Sequence, residues 1–367
     1  MRKMHYNSPR IGANHYTSLP LKISHVLNNR ACITLLDFTL KSDAKIHKNP
    51  DMTRKIQQIA EILYLCTQII ILICHAMHLT EPVYRNPYWP TYPLIQITQG
   101  CTHNSCKFCT MYRDVPFRMM PMEWIEEDLK EICAIAPDAK TIQLLSANPM
   151  ALSYDRLMPR LELIRQYLPK LEHMYTCTRV TDITNKSVDQ LQSLRDIGLN
   201  EISLGVESGD DWTLQRINKG YTAQDILTQC HKLEEAGIAY WVTFLNGVAG
   251  REHSHDHAVH SAQIFNQCRP MLVGTGGLTL FPGTPLLDEA ERGEFTPLSE
   301  RELMQELHTF VQTLTCDCLF NTHHTSSLYL TGPFLPRKQQ ILDDLQYAID
   351  HADLDAMAAR RASKRGL

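Results

Sequence analysis

From residue 94 onward the chain alternates short runs rich in β-branched and aromatic residues with longer segments whose apolar positions recur at helical spacing. Strands are expected at 94–98, 141–145, 173–178, 201–206, 238–245 and 271–280. Amphipathic helices are expected at 122–136, 154–167, 187–197, 223–236, 255–267 and 300–314. Punctuation supports several ends: Pro137 stops the first helix, Gly198 ends the third, and Gly237 stands where a left-handed C-terminal cap belongs. Strand and helix in strict alternation imply βαβ units and a parallel sheet. The fold class that follows is α/β, a partial (β/α)6 TIM-like barrel with functional groups in the loops after each strand.

The flanks have a different texture. Residues 1–76 show no strand–turn rhythm and are treated as an N-terminal extension of open role. Within them begins an apolar stretch, 57–79, interrupted by Glu61, Thr67 and Gln68 and short of the roughly 20 apolar residues a membrane span needs. Residues 81–93 carry four prolines and read as an extended strap. The barrel is assigned to 77–315, with Met77 a credible alternative start, and 316–367 to a C-terminal addition: a loop near 321–330, a break at Gly332-Pro333 and a last helix at 337–351.

Composition changes the picture little. A formal charge of -4 gives no basic footprint for nucleic acid, and the first twenty residues are too polar for a secretory signal. The twelve cysteines are dispersed unlike a secreted disulfide framework, so a reducing, cytoplasmic setting is expected.

Three of those cysteines lie within nine residues, Cys101, Cys106 and Cys109, directly after the first expected strand. Three thiolates on one loop can converge on a metal centre. A structural zinc site would need a fourth, remote ligand, whereas an iron–sulfur cluster held by three leaves one iron open. With Phe108 before the last cysteine, the array resembles the Cys-x3-Cys-x-aromatic-Cys signature of the radical S-adenosylmethionine (radical SAM) superfamily, with one residue inserted between the first two cysteines. The stretch Gly205-Val206-Glu207-Ser208-Gly209 is similar to one found in methylthiotransferases and oxygen-independent coproporphyrinogen oxidase-like proteins.

That resemblance implies a [4Fe-4S] cluster on Cys101, Cys106 and Cys109 and S-adenosyl-L-methionine as cofactors. It also implies a flavodoxin or ferredoxin-type electron donor and a 5′-deoxyadenosyl radical that abstracts hydrogen from an unidentified substrate. It places Glu207 and Ser208 toward the ribose or α-amino group, Lys219 first and Arg216 second toward the methionine carboxylate, and the 146–149 turn, with Ser146 and Asn148, near the amino group. The turn at Gly247 would lie against adenine, and Arg179 would be an inward polar group. The alternative is a zinc-stabilised α/β binding protein without catalysis.

Two weaker patterns remain. His253, His255, His257 and His260 could put ligands on one helix face. Cys316-x-Cys318 with His323 and His324 could bind a metal, Cys316 and Cys318 otherwise being small buried thiols. Cys133, Cys177, Cys230 and Cys268 fall at core-periodic positions.

Overall fold

A computed structural model describes residues 77–84, 92–322 and 331–363. The apolar run before Met77, His323 and His324, and residues 364–367 lie outside the described residues.

An eight-stranded sheet organises the rest. Seven strands run parallel in the order β1 (Leu94–Gln96), β4 (Thr141–Leu145), β5 (His173–Thr178), β6 (Leu199–Glu207), β7 (Ala239–Asn246), β8 (Leu272–Gly277) and β9 (Leu319–Asn321). A last strand, β10 (Thr331–Pro333), pairs antiparallel with β9. Among the described residues β1 and β10 are the two edges and no ladder joins them. A small separate ribbon of β2 (Thr98–Gln99) and β3 (Arg118–Met119) splits the first expected strand in two.

Crossover helices connect the parallel strands: α1 (Met122–Ile135), α2 (Tyr154–Tyr167), α3 (Val188–Asp196), a short α4 (Asp211–Arg216), α5 (Ala223–Ala236) and α6 (Ser254–Phe265). After β8 come α7 (Pro285–Glu291) and α8 (Glu300–Thr313); α9 (Phe334–His351) and α10 (Leu354–Ala362) follow β10. The starts are set locally. Ser187, Thr222 and Ser299 each accept a backbone N–H from the third helical residue, whose own side chain reaches back to complete a capping box. Gly237 ends α5 at φ 72°, the left-handed cap expected of it.

Period-2 burial shows how the sheet is used. On β6, Ile202, Leu204 and Val206 are fully buried, whereas Glu201, Ser203, Gly205 and Glu207 on the opposite face are partly open. Each wholly buried aliphatic side chain contributes about 1.5–3 kcal/mol. The apolar face thus supplies stability and leaves the polar face free to line the inside of the sheet.

The tail departs from its sequence reading. Asn321 belongs to β9, which extends the parallel sheet beside β8, and Gly332-Pro333 is part of β10 rather than a break. Proline is tolerated there because β10 is an edge strand, where one row of N–H groups needs no partner.

Candidate functional site

The loop carrying Cys101, Cys106 and Cys109 leaves the C-terminal end of the first strands and is clamped at its root. Gly100 donates its N–H to Glu81 (2.5 Å) and accepts from Ser146 Oγ (2.8 Å). Its φ is +74°, and a Cβ there would stand 2.6 Å from the Val115 carbonyl, so only glycine lets the returning chain pass. Farther along, Thr102 N–H donates to Asn148 Oδ1, and Asn148 Nδ2 donates to Thr102 Oγ1 and to Asp182. The extra residue in the Cys-x4-Cys spacing is absorbed at Asn104. It takes a left-handed φ of 46° and sends its amide to the carbonyls of Tyr112 (2.6 Å) and Arg113 (3.3 Å). Arg113 in turn donates to the carbonyls of Cys109 and Cys106.

All three thiols are free and partly buried. Burial pushes the Cys106 thiol up, with Lys219 and Arg179 pulling the other way, and lifts that of Cys109 to about 11. Among the described residues no three His, Cys, Asp or Glu side chains are drawn together closely enough to grip an ion.

A second segment, the turn after α4, closes on this loop. Lys107 N–H donates to the Ile217 carbonyl (3.0 Å), Asn218 Nδ2 to the Ser105 carbonyl (3.0 Å), and the His103 ring lies 2.6 Å from the Asn218 carbonyl. Asn218 and Gly220 both have positive φ, the tight reversal that turns Lys219 inward. Lys219 is almost wholly buried. Its ammonium donates to the Gly205 carbonyl (2.8 Å), stands 3.6 Å from Glu207 and lies 5.8 Å from the Phe108 ring centroid. Burial opposes its charge, but Tyr221, Glu207 and Cys106 outweigh burial and hold its pKa above the ordinary lysine value. Glu207 ends β6 at φ 70° and accepts from Thr243 Oγ1 (3.0 Å). Arg179, at the end of β5, donates from Nη2 to the Lys219 carbonyl (2.6 Å), while its Nε is buried without a hydrogen-bond partner.

Residues 95–264, the span from β1 nearly to the end of α6, match the family model described as the radical SAM superfamily. Over that span the chain is similar to a radical SAM domain. It is 24% identical over 128 residues to the heme chaperone HemW of Bacillus subtilis, covering 34% of each chain. To the tRNA-2-methylthio-N(6)-dimethylallyladenosine synthase of Bdellovibrio bacteriovorus it is 24% identical over 159 residues, 42% of this chain and 34% of that one. The chain therefore spans about a third of the length of these curated relatives. Among solved structures, the radical S-adenosylmethionine methyltransferase TsrM from Kitasatospora setae aligns at 18% identity and TM-score 0.47, covering 71% of this chain and 53% of that one. The [4Fe-4S] cluster and S-adenosyl-L-methionine expected from the sequence are the cofactors of this superfamily.

Three thiols on one loop, a buried ammonium beside them and an uncommitted guanidinium N–H on Arg179 are the groups that could hold that pair. Other expected residues are engaged elsewhere. Arg216 contacts Glu289, which also binds Lys107 (2.7 Å), so its charge is already neutralised away from Lys219. Ser208 is fully buried and faces His257 (2.9 Å) under α6. Ser146 and Asn148 hold the cysteine loop. Gly247 gives its N–H to Glu306, and a Cβ there would stand 2.6 Å from Leu303, so this glycine serves the packing of α8.

The four histidines diverge. His253 stacks on Trp212, His255 sits at the surface beside Asp256, His257 packs against Phe244, and His260 pairs with Asp210. Burial drives the His257 ring down to about 4, which keeps it neutral. Sequence reasoning missed Glu81, Asp182, Thr243 and Arg113. Glu81 was within reach, as the one acid of the strap; the others act through contacts 30 or more positions away or through backbone carbonyls. No helix among the described residues is long and apolar enough to cross a membrane.

Proposed function

We propose that the protein is a radical SAM enzyme. It holds a [4Fe-4S] cluster on Cys101, Cys106 and Cys109 and binds S-adenosyl-L-methionine against Lys219, Arg179 and Glu207. The observation that supports this most is the junction of the cysteine loop with the Asn218 turn, which puts a buried ammonium next to Cys106 and Phe108. Bound together, the two cofactors would supply reductive cleavage of the sulfonium and, through it, hydrogen abstraction from the substrate.

The chain's own part is to bind, orient and exclude water. Cys101, Cys106 and Cys109 would hold the cluster through three thiolates, leaving it able to take the amino and carboxylate groups of methionine. Lys219, and Arg179 through its free Nε, offer positive charge to that carboxylate; Glu207 accepts from a ribose hydroxyl or the α-amino group. Ser146, Asn148 and Glu81 keep the loop in place. A flavodoxin or ferredoxin-type donor supplies the electron, and an oxygen-labile centre of this kind fits a cytoplasmic setting. The substrate is unidentified.

Anaerobic reconstitution with iron and sulfide tests the reading. A brown protein with about four irons per chain, the count of a [4Fe-4S] centre, that produces 5′-deoxyadenosine from S-adenosyl-L-methionine under dithionite supports it. A colourless chain that takes up one zinc and cleaves nothing would favour the non-catalytic alternative.

A further inference from the structure

We propose that Cys316 and Cys318 form a thiol–disulfide site that closes on reaction with a small disulfide of the glutathione type, at the end of the barrel remote from the cysteine loop. The two sulfurs stand 3.6 Å apart. They precede β9, whose first residue, Leu319, lies opposite Leu272, the first residue of β8; the pair is thus at the N-terminal ends of the parallel strands, whereas Cys101 follows the C-terminal end of β1.

The backbone around the pair is fixed from both sides. Thr315 N–H donates to Asn266 (2.6 Å), and Lys338 holds the carbonyls of Gln312 and Leu314. Beyond the pair, the Cys318 carbonyl accepts from Phe334 N–H (2.9 Å). Disulfide closure needs the sulfurs to approach to about 2.05 Å, a movement side-chain rotation can supply at i, i+2 spacing. Both cysteines are buried, each with 7% of its surface exposed, so exchange proceeds through local opening of the segment between α8 and β9. Cys230 and Cys268 are also neighbours, but Cys230 is wholly buried in α5. The contact between the two sulfurs lowers the Cys316 thiol from its ordinary pKa and raises that of Cys318, so Cys316 is assigned as the sulfur that attacks first.

The exchange balances. Cys316 thiolate attacks one sulfur of the glutathione disulfide, whose S–S bond breaks and releases one glutathione thiolate. Cys318 then gives up its proton to solvent and attacks the Cys316 sulfur, releasing the second glutathione. Two protein thiols are oxidised and one disulfide is reduced to two thiols, with no demand on the cluster.

The test uses the full-length protein, equilibrated anaerobically in glutathione buffers from fully reduced to fully oxidised, quenched in acid, alkylated and digested with trypsin. The peptide 302–337 contains Cys316 and Cys318 and no other cysteine. In reduced buffer it should carry two alkyl groups; in oxidised buffer it should be unalkylated and lighter by two hydrogens. Cys318→Ser should trap a glutathione adduct on Cys316. A wild-type peptide that stays doubly alkylated in excess oxidised glutathione would overturn the proposal. So would an adduct on each cysteine in place of the internal disulfide. Neither readout depends on iron or S-adenosyl-L-methionine, so this site and the proposed enzyme function stand or fall separately.

Discussion

Asn218 and Ser105, 113 positions apart, are joined by an amide-to-carbonyl hydrogen bond of 3.0 Å. That bond couples the cysteine loop to the turn presenting Lys219, so thiols and ammonium are organised as one unit.

Replacing Cys101, Cys106 or Cys109 by Ala is expected to abolish both iron retention and cofactor cleavage, since two thiolates cannot hold a cubane firmly. Cys133→Ala should leave both intact, because that thiol donates only to the Tyr167 carbonyl on the outer helices. Iron and sulfide analysis with 5′-deoxyadenosine quantification distinguishes the two classes; a loop variant that still cleaves the cofactor contradicts the ligand assignment.

The two cations that the sequence ranked as first and second choice should behave differently. Lys219→Ala should weaken S-adenosyl-L-methionine binding by about 1–3 kcal/mol, roughly ten- to a hundredfold, with iron content unchanged. Arg216→Ala should leave that affinity near wild type but lower the melting temperature, because it deprives the mostly buried Glu289 of one of its two cations. Equilibrium binding and calorimetry on the two variants decide the matter, and equal affinity losses would void the distinction.

What was legible in the chain, and what was not, follows the range of the interactions. The strands at 141–145 and 173–178 and the helices at 154–167 and 223–236 were readable because period and caps lie within the segment itself. The short β9, only three residues between Cys318 and Thr322, has too little pattern to register and exists because β8 offers it an edge. At the site, the cysteine loop and the Glu207 strand end were visible as motifs. Lys219 ranked ahead of Arg216 on the motif, but the contact that engages Arg216 was not legible, because Glu289 lies 73 positions downstream. The Ser208 contact was out of reach for a similar reason: its partner His257 lies 49 positions away.

Glu306 gives a pH dependence with a definite sign. Burial lifts its carboxyl to about 8 from an ordinary 4.5, against hydrogen bonds from Gly247 N–H and Ser254. A raised folded-state pKa means the native protein holds a proton that the unfolded chain has released. Its contribution is therefore complete below about pH 4.5 and is lost as pH rises through 8. Glu306→Gln keeps a neutral acceptor for Gly247 and should be relatively more stable than wild type at pH 8, the gap narrowing toward pH 5. Melting temperatures across that range check this, and a gap that widened toward low pH would reverse the assignment.

The last expectation concerns where the functional chain begins. The segment at 78–84 is stitched to the first strands: Thr80 bonds Gln96 and Gln99, Glu81 holds Gly100, and His78 contacts the buried Asp128 of α1. These contacts fix the root of the cysteine loop and all begin at or after His78. A chain started at Met77 keeps every one of them. It should fold, take up iron to the wild-type level and cleave S-adenosyl-L-methionine as the full chain does, measured by circular dichroism, iron content and 5′-deoxyadenosine yield. A chain started at Pro82 loses Thr80 and Glu81, and its cysteine loop should hold iron poorly even where the barrel still melts cooperatively. If the Met77 chain were insoluble or free of iron while the full-length chain was competent, residues 1–76 would belong to the working fold, and the barrel's boundary would move toward the N-terminus.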